Sequence, residues 1–239
     1  MRVDAIFFDL FDTLLLLENT EAYHEACLVK MHEFLARKGV NVSFDSFQHA
    51  YFDIHDKFYS ESRESLEEPH FNVRVAQTLE KLGYDFRVSD EVVTGATMSF
   101  ADEFTLHVQP DKDAAHILQK LHQNHKLGLI SNFGIPECGR KLLRTFELEK
   151  YFDLIVISAE VNQRKPSPKI FKSALTTLGV DASRAVFVGD MVDLDIVGPQ
   201  NVGMKTVLIK RKRSGEDSGA KPDVVIKRLT ELLRVIEGC

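Results

Sequence analysis

The feature that most constrains this chain is an apolar run near its start, Val3–Phe8, broken only at Asp4 and ending abruptly at Asp9. A strand that is apolar on both faces belongs in the middle of a parallel sheet, where helices cover both sides. Four runs of the same kind come much later, at 127–130, 154–157, 185–188 and 205–209, and Val224–Ile226 reads as a sixth. Helical patterns separate them. The segment 111–123 spaces Ala115, Leu118 and Leu121 along one face, and 168–178 opens with a proline and stops at Gly179. Strand alternating with helix predicts an α/β fold with a doubly wound, Rossmann-like parallel sheet.

Residues 18–105 break this rhythm. They carry helical periodicity and almost no strand signal. Thr20–Lys38 aligns Tyr23, Cys27, Met31, Phe34 and Leu35, with Gly39 as the stop, and Ser43–Ser62 aligns Phe44, Phe47, Tyr51, Ile54 and Phe58. Two more helices are predicted at 71–82 and 90–104. The expected organisation is a core of residues 1–17 and 106–239 with an all-helical insert of residues 18–105. The aromatic faces of the insert read as bundle core, and Leu14–Leu17 reads as core beneath the joint.

Composition narrows the function classes. The 239 residues include 30 basic and 36 acidic side chains, a net charge of −6, which disfavours non-specific nucleic-acid binding. Cys27, Cys138 and Cys239 are far apart with no CxxC pair, so neither a disulfide framework nor a zinc ribbon is expected. No apolar stretch approaches a membrane span and the N-terminus lacks a signal-peptide pattern, so a cytoplasmic location is expected. His122 and His125 are expected to be solvated. The basic run Lys210–Arg213 is expected to be an exposed loop after the fifth strand.

In an open parallel sheet, sites form beyond the carboxyl ends of the strands, where strand order reverses. Asp9-Leu10-Phe11-Asp12-Thr13 follows the first strand and Ser131-Asn132 the second. Lys165 precedes the fourth, which is followed by Gly189-Asp190 with Asp193 and Asp195 close behind. These groups suit one task. A carboxylate nucleophile splits a hard transfer into two easier steps. A phosphoryl group would repel it unless cations intervene, and Mg²⁺ prefers oxygen ligands such as Asp9 and Asp190. Ser131 can donate to a phosphoryl oxygen, Lys165 adds fixed positive charge, and main-chain N–H groups in the Asp9–Thr13 turn can complete the cradle.

These motifs resemble the four motifs of the haloacid dehalogenase-like hydrolases. The first is Phe7-Phe8-Asp9-Leu10-Phe11-Asp12-Thr13-Leu14, the second Leu129-Ile130-Ser131-Asn132, and the third runs from Lys165-Pro166-Ser167-Pro168 to Phe171. The fourth runs from Val188-Gly189-Asp190 through Asp195 to Gly203-Met204. The insert resembles the family's first-type helical cap. The resemblance implies an Asp9 nucleophile, phosphatase action on a small phosphorylated metabolite, and Mg²⁺ held by Asp9, the Phe11 main-chain carbonyl, Asp190 and Asp195, the last directly or through water. Leu10, Phe11 and Asn132 fall at substrate-binding positions. Arg63 and Arg74 of the cap are candidates to reach a substrate anion.

One departure stands out. Family phosphatases place an acid–base Asp two residues after the nucleophile. Here that position is Phe11, and the spare carboxylate, Asp12, lies one residue further on. An aromatic at this position resembles the family's metal-independent 2-haloacid dehalogenases, so dehalogenation is the alternative expectation, and a catalytically weakened binding module a further one. The Gly189-Asp190 and Asp195 carboxylates resemble the metal-binding phosphatase branch.

Overall fold

In the computed structural model, residues 3–17, 20–211 and 219–237 are described. The central sheet has six parallel strands: β1 (Ala5–Phe8), β4 (Lys126–Ser131), β5 (Leu154–Ile157), β6 (Ala185–Gly189), β7 (Lys205–Ile209) and β8 (Val224–Ile226); the two short strands β2 (Leu15–Leu17) and β3 (Val108–Pro110) fall between β1 and β4 in the chain. Their spatial order is β5-β4-β1-β6-β7-β8. All six expected runs are strands of this sheet. After β1 the chain builds outward on one side through β4 and β5, then crosses to build on the other from β6. The reversal lies between β1 and β6, and their shared register ends at Phe8 opposite Val188. Phe7, Ile130, Phe171 and Phe187 pack on one face and Ile6, Phe8, Leu129 and Val188 on the other.

The insert forms four helices, α1 (Thr20–Arg37), α2 (Phe44–Ser65), α3 (Phe71–Lys81) and α4 (Glu91–Thr105). Ser43 caps α2 by accepting from the Ser46 N–H. Cys27, Met31 and Leu35 of α1, which the sequence aligns on one face, are buried in the same cluster as Val93, Ala96 and Phe100 of α4. Among the described residues no helix is long and apolar enough to cross a membrane. Cys27 and Cys138 are buried free thiols, each pushed up to about 12 chiefly by burial, and therefore poor nucleophiles. Cys239 lies outside the described residues.

Two expectations need correction. Leu14–Leu17 is more than core: Leu15–Leu17 is strand β2, and it pairs antiparallel with β3, Leu15 opposite Pro110 and Leu17 opposite Val108. The two chain crossings between core and insert are thus hydrogen-bonded to each other. The basic run after β7 is not wholly exposed either. Arg211 is half-buried and donates to the Asp12 carbonyl at 3.0 Å, the Thr13 carbonyl at 3.1 Å and Asp111 Oδ2 at 2.7 Å. Three acceptors grouped at the mouth of the sheet supply what solvent would otherwise offer. Lys212 and Arg213 lie outside the described residues. His122 and His125 sit at the far edge of the sheet from the motifs; His125 pairs with the Val3 carbonyl at 3.0 Å, while His122 is partly exposed.

Candidate active site

Three of the motif side chains, Asp9, Ser131 and Asp190, are placed by the ends of strands. Asp9 follows β1 directly, its N–H bonded to the Val188 carbonyl of β6 at 2.9 Å, which fixes the carboxylate at the reversal point. Ser131 ends β4. Asp190 follows β6. Lys165 enters from the segment before α8 (Pro168–Leu178), held by a two-way clasp: Asn132 Nδ2 donates to the Lys165 carbonyl at 2.9 Å, and the Lys165 N–H donates to Asn132 Oδ1 at 2.8 Å. The role expected for Asn132 was substrate contact; the geometry gives it the clasp as well.

Lys165 is 1% exposed, and its ammonium donates to Asp9 Oδ1 at 2.6 Å and Asp195 Oδ1 at 2.7 Å. Burial opposes its charge, but Asp195 and Asp9 outweigh that and hold its pKa above the ordinary lysine range. The other Asp195 oxygen accepts the Met191 N–H at 3.0 Å. Both oxygens of Asp195 therefore already face donors, so it anchors the lysine and the turn after β6. Gly189 is required beside it: a Cβ there would lie 2.4 Å from Asp195 Cγ.

Carboxylate oxygens of Asp9, Asp190 and Asp195 lie within 4.8 Å of one another. Three buried carboxylates face one buried ammonium, so negative charge is left over. Asp9 and Asp190 are both shifted upward, chiefly by burial. Burial pushes Asp9 up to about 6 against the pull of Lys165, and burial with the charges of Asp9 and Asp195 pushes Asp190 up to about 8. The Ser131 hydroxyl is buried and has no hydrogen-bond partner among the described residues. A surplus of hard oxygen donors beside an unused hydroxyl fits a divalent cation and an oxyanion together, so the residues present suit Mg²⁺.

The pocket over this cluster has a volume of about 270 Å³. Phe11, Asp12, Leu17 and Asn132 line it together with the charged groups. Leu10 is fully buried in the core, so only its main chain can serve the site. The Phe11 ring lies 4.9 Å from Phe133 and 5.6 Å from Phe104 of α4, closing the site on the insert side with an apolar wall. Asp12 adopts a left-handed backbone with φ 54, and its Oδ1 accepts the Leu17 N–H at 3.4 Å. Its carboxylate therefore reaches the pocket wall while leaning on the hinge. Arg63 is exposed on α2, its guanidinium 5.7 Å from the Tyr59 ring, and does not line the pocket. Arg211 was missed as a support of the Asp12–Thr13 turn. The available signal was its place two residues beyond β7, at the carboxyl edge that positions every other group here.

A doubly wound sheet with buried acids and a lysine at its reversal point, and a four-helix insert after its first strand, defines the class of protein. The family model for haloacid dehalogenase-like hydrolases matches residues 38–209, and the chain belongs to that family. A glyceraldehyde 3-phosphate phosphatase of Pyrococcus abyssi is 32% identical over 242 residues, covering 99% of this chain and 94% of that protein. Among solved structures, a 2-haloacid dehalogenase from Pseudomonas syringae superposes with a TM-score of 0.73 at 26% identity, and a haloacid dehalogenase-type phosphatase from Thermococcus onnurineus with 0.68 at 26%; each comparison covers 99% of both chains.

Proposed function

We propose that this hydrolase cleaves phosphate from small phosphorylated metabolites, phosphoric monoesters or acyl phosphates, through an aspartyl-phosphate on Asp9. The observation that carries the reading is the unpartnered, buried Ser131 hydroxyl facing a cluster of carboxylates that holds more negative charge than Lys165 neutralises. The Asp9 oxygen attacks phosphorus, the phosphorus–oxygen bond to the leaving group breaks, and the departing oxygen takes a proton. Water then attacks the same phosphorus and restores Asp9. Lys165 neutralises charge shared by Asp9 and the phosphoryl oxygens, and Ser131 donates to one of them. Mg²⁺ would be held by Asp9, Asp190 and the Phe11 main-chain carbonyl, with Asp195 orienting the set, and it would offset charge repulsion between nucleophile and phosphate.

With Phe11 in place of the usual acid, Asp12 is the remaining carboxylate at the pocket wall for proton transfer. Leaving groups that are weak bases need less help, which favours acyl and aryl phosphates over alkyl ones. Helices α1–α4 act as the cap. A phosphate-release screen over a metabolite panel, with Mg²⁺ and with excess chelator, tests the reading. Release that requires Mg²⁺ and vanishes in Asp9→Asn supports it; undiminished release by that variant refutes it.

Phe11 and the dehalogenase-like structural neighbour favour one second reading, metal-independent attack of Asp9 on the carbon of a 2-haloacid. The surplus carboxylates weigh against it, since they would repel such an anion. Halide release in the presence of chelator would establish it.

A further inference from the structure

Asp12 stands in the turn that carries the nucleophile, and its backbone is left-handed, with φ 54. A residue with a side chain adopts this conformation at a cost and holds it only where its surroundings fix it. The turn's own hairpin supplies part of the hold. The Asp12 N–H donates to the Leu15 carbonyl at 2.6 Å, and the Leu10 carbonyl accepts the Leu14 and Leu15 N–H groups, each at 2.9 Å. The Asp12 and Thr13 carbonyls are taken from outside the hairpin, by Arg211 of the segment after β7.

The N–H groups on one edge of Arg211 match these acceptors in number. Nε has one, which goes to the Asp12 carbonyl at 3.0 Å; Nη2 has two, which go to the Thr13 carbonyl at 3.1 Å and to Asp111 Oδ2 at 2.7 Å. Nε and Nη2 belong to one planar group, so a single rigid fork sets two successive peptide planes. Asp111 orients the fork in turn. Its other oxygen accepts the Asp113 N–H at 2.9 Å, its own N–H donates to the Leu14 carbonyl at 2.8 Å, and its side chain is buried. It cannot swing away without leaving a buried charge unpaired.

We propose that Arg211, oriented by Asp111, is a positioning residue for the reaction: it fixes the peptide planes of Asp12 and Thr13, and so sets where the Phe11 carbonyl and the Asp12 carboxylate stand beside Asp9. The inference rests on the phosphatase reading above, in which the Phe11 carbonyl is a ligand of Mg²⁺. Phe11 and Asp12 line the pocket over Asp9, and Arg211 acts on them through the main chain they share. The Phe11 carbonyl and the Asp12 N–H lie in one peptide plane, so a change at Asp12 turns that oxygen directly. Arg211→Lys separates geometry from charge, since an ammonium keeps the charge beside Asp111 and loses the fork.

The test compares the full chain with Arg211→Lys and with Arg184→Met. Arg184 is the control: it pairs with Asp4 at the opposite end of β1, so its loss removes an ion pair far from the turn. Phosphate release from phenyl phosphate gives kcat and KM at saturating Mg²⁺, and calorimetry without substrate gives Mg²⁺ affinity. Arg211→Lys should lower kcat by at least about tenfold and weaken Mg²⁺ binding by about tenfold, with KM within about twofold of the parent, as when a group orienting a metal's ligand is lost. Arg184→Met should change each quantity by less than about twofold. If the parent releases no phosphate yet Mg²⁺ affinity falls in Arg211→Lys and not in Arg184→Met, the phosphatase reading fails and the positioning role stands. Parent-like kcat and Mg²⁺ affinity in Arg211→Lys overturn the proposal. A rise in KM at unchanged kcat overturns it too, and so does an equal loss in Arg184→Met, which would make the arginine a general support of the fold. Should Arg211→Lys misfold by circular dichroism, Asp111→Asn decides: with one acceptor oxygen in place of two and no charge, it loosens the fork. The same fall in kcat at constant KM is expected there, and parent-like kcat and Mg²⁺ affinity refute the role.

Discussion

The molecule holds two cations in opposite ways. Lys165 in the core lies within 2.7 Å of two carboxylates, whereas Arg74 in the cap lies on aromatic rings with no acid bonded to it. The core site is built at the ends of rigid, paired strands, where several charges can be held at fixed distances and compensate one another. In the helical insert, Arg74 is half-buried and rests against two rings, Phe71 at 5.1 Å and Phe58 at 5.9 Å. Close pairing at strand ends gives a site ready for chemistry.

The largest expected effect comes from removing the paired cation. Lys165→Met should lower kcat by about 10²- to 10³-fold, as when a preorganised charge is deleted. It should also destabilise the metal-free fold by about 3–5 kcal/mol, because three carboxylates are left buried without their counter-charge. Urea unfolding with and without Mg²⁺ checks this; a penalty unchanged by Mg²⁺ would argue that the carboxylates do not share a cation. Gly189→Ala should come next. Its Cβ would displace Asp195, leaving Lys165 with one partner, and stability should fall by about 1–3 kcal/mol with a parallel loss of kcat. Normal kcat in that variant would show that Asp195 does not anchor the lysine.

Phe11→Asp sits at the seam between the two regions. It should raise turnover of alkyl phosphates by up to about tenfold while loosening the Phe11–Phe104–Phe133 cluster, visible as a lower melting temperature. Rapid alkyl phosphate hydrolysis by the parent, abolished in Asp12→Asn without unfolding, would instead assign the acid–base role to Asp12.

The smallest effect separates the regions by pH. In the cap, burial above all, with repulsion from the neighbouring His55 and Arg74 side chains, depresses His24 to about 4. Its contribution to stability is present above the unfolded value of about 6.5 and is lost as pH falls towards 4. In the metal-free core the sign is reversed: Asp190, raised to about 8, contributes stability at low pH that is lost as pH rises through 8. Hydrogen exchange between pH 7 and 5 should therefore show α1 and α2 losing protection relative to β1 and β6, and His24→Phe should reduce the difference. A uniform change in both regions would contradict it.

The core was legible because its strands are continuous apolar runs and each leaves a polar residue at its end. Asp9, Ser131 and Asp190 could be placed from that rule alone, and Lys165 through its motif. The rest depended on contacts distant in sequence. Nothing in Leu15–Leu17 announces a partner at Val108–Pro110, because a three-residue apolar stretch reads equally as core. Helix α6 (Pro136–Thr145) was left unassigned, although Pro136 at its first turn was a usable signal. Arg211 was misread because a run of four basic residues suggests solvent, while three acceptors near Asp12 take one of them inward. Arg63 and Arg74 were equally plausible in the sequence; only the packing of α2 against α3 distinguishes the exposed one from the half-buried one.

The β2–β3 pairing has a consequence for how such a protein can change over time. Both ends of the helical insert meet at adjacent strands, roughly 5 Å apart. The insert is therefore attached as a single ribbon, like a drawer on one rail. Whatever length or shape of lid is spliced between Leu17 and Val108, the two cut ends already lie side by side, so the exchange leaves the six-stranded sheet and its acids untouched. A lineage can replace the helical insert while keeping the sheet beneath it.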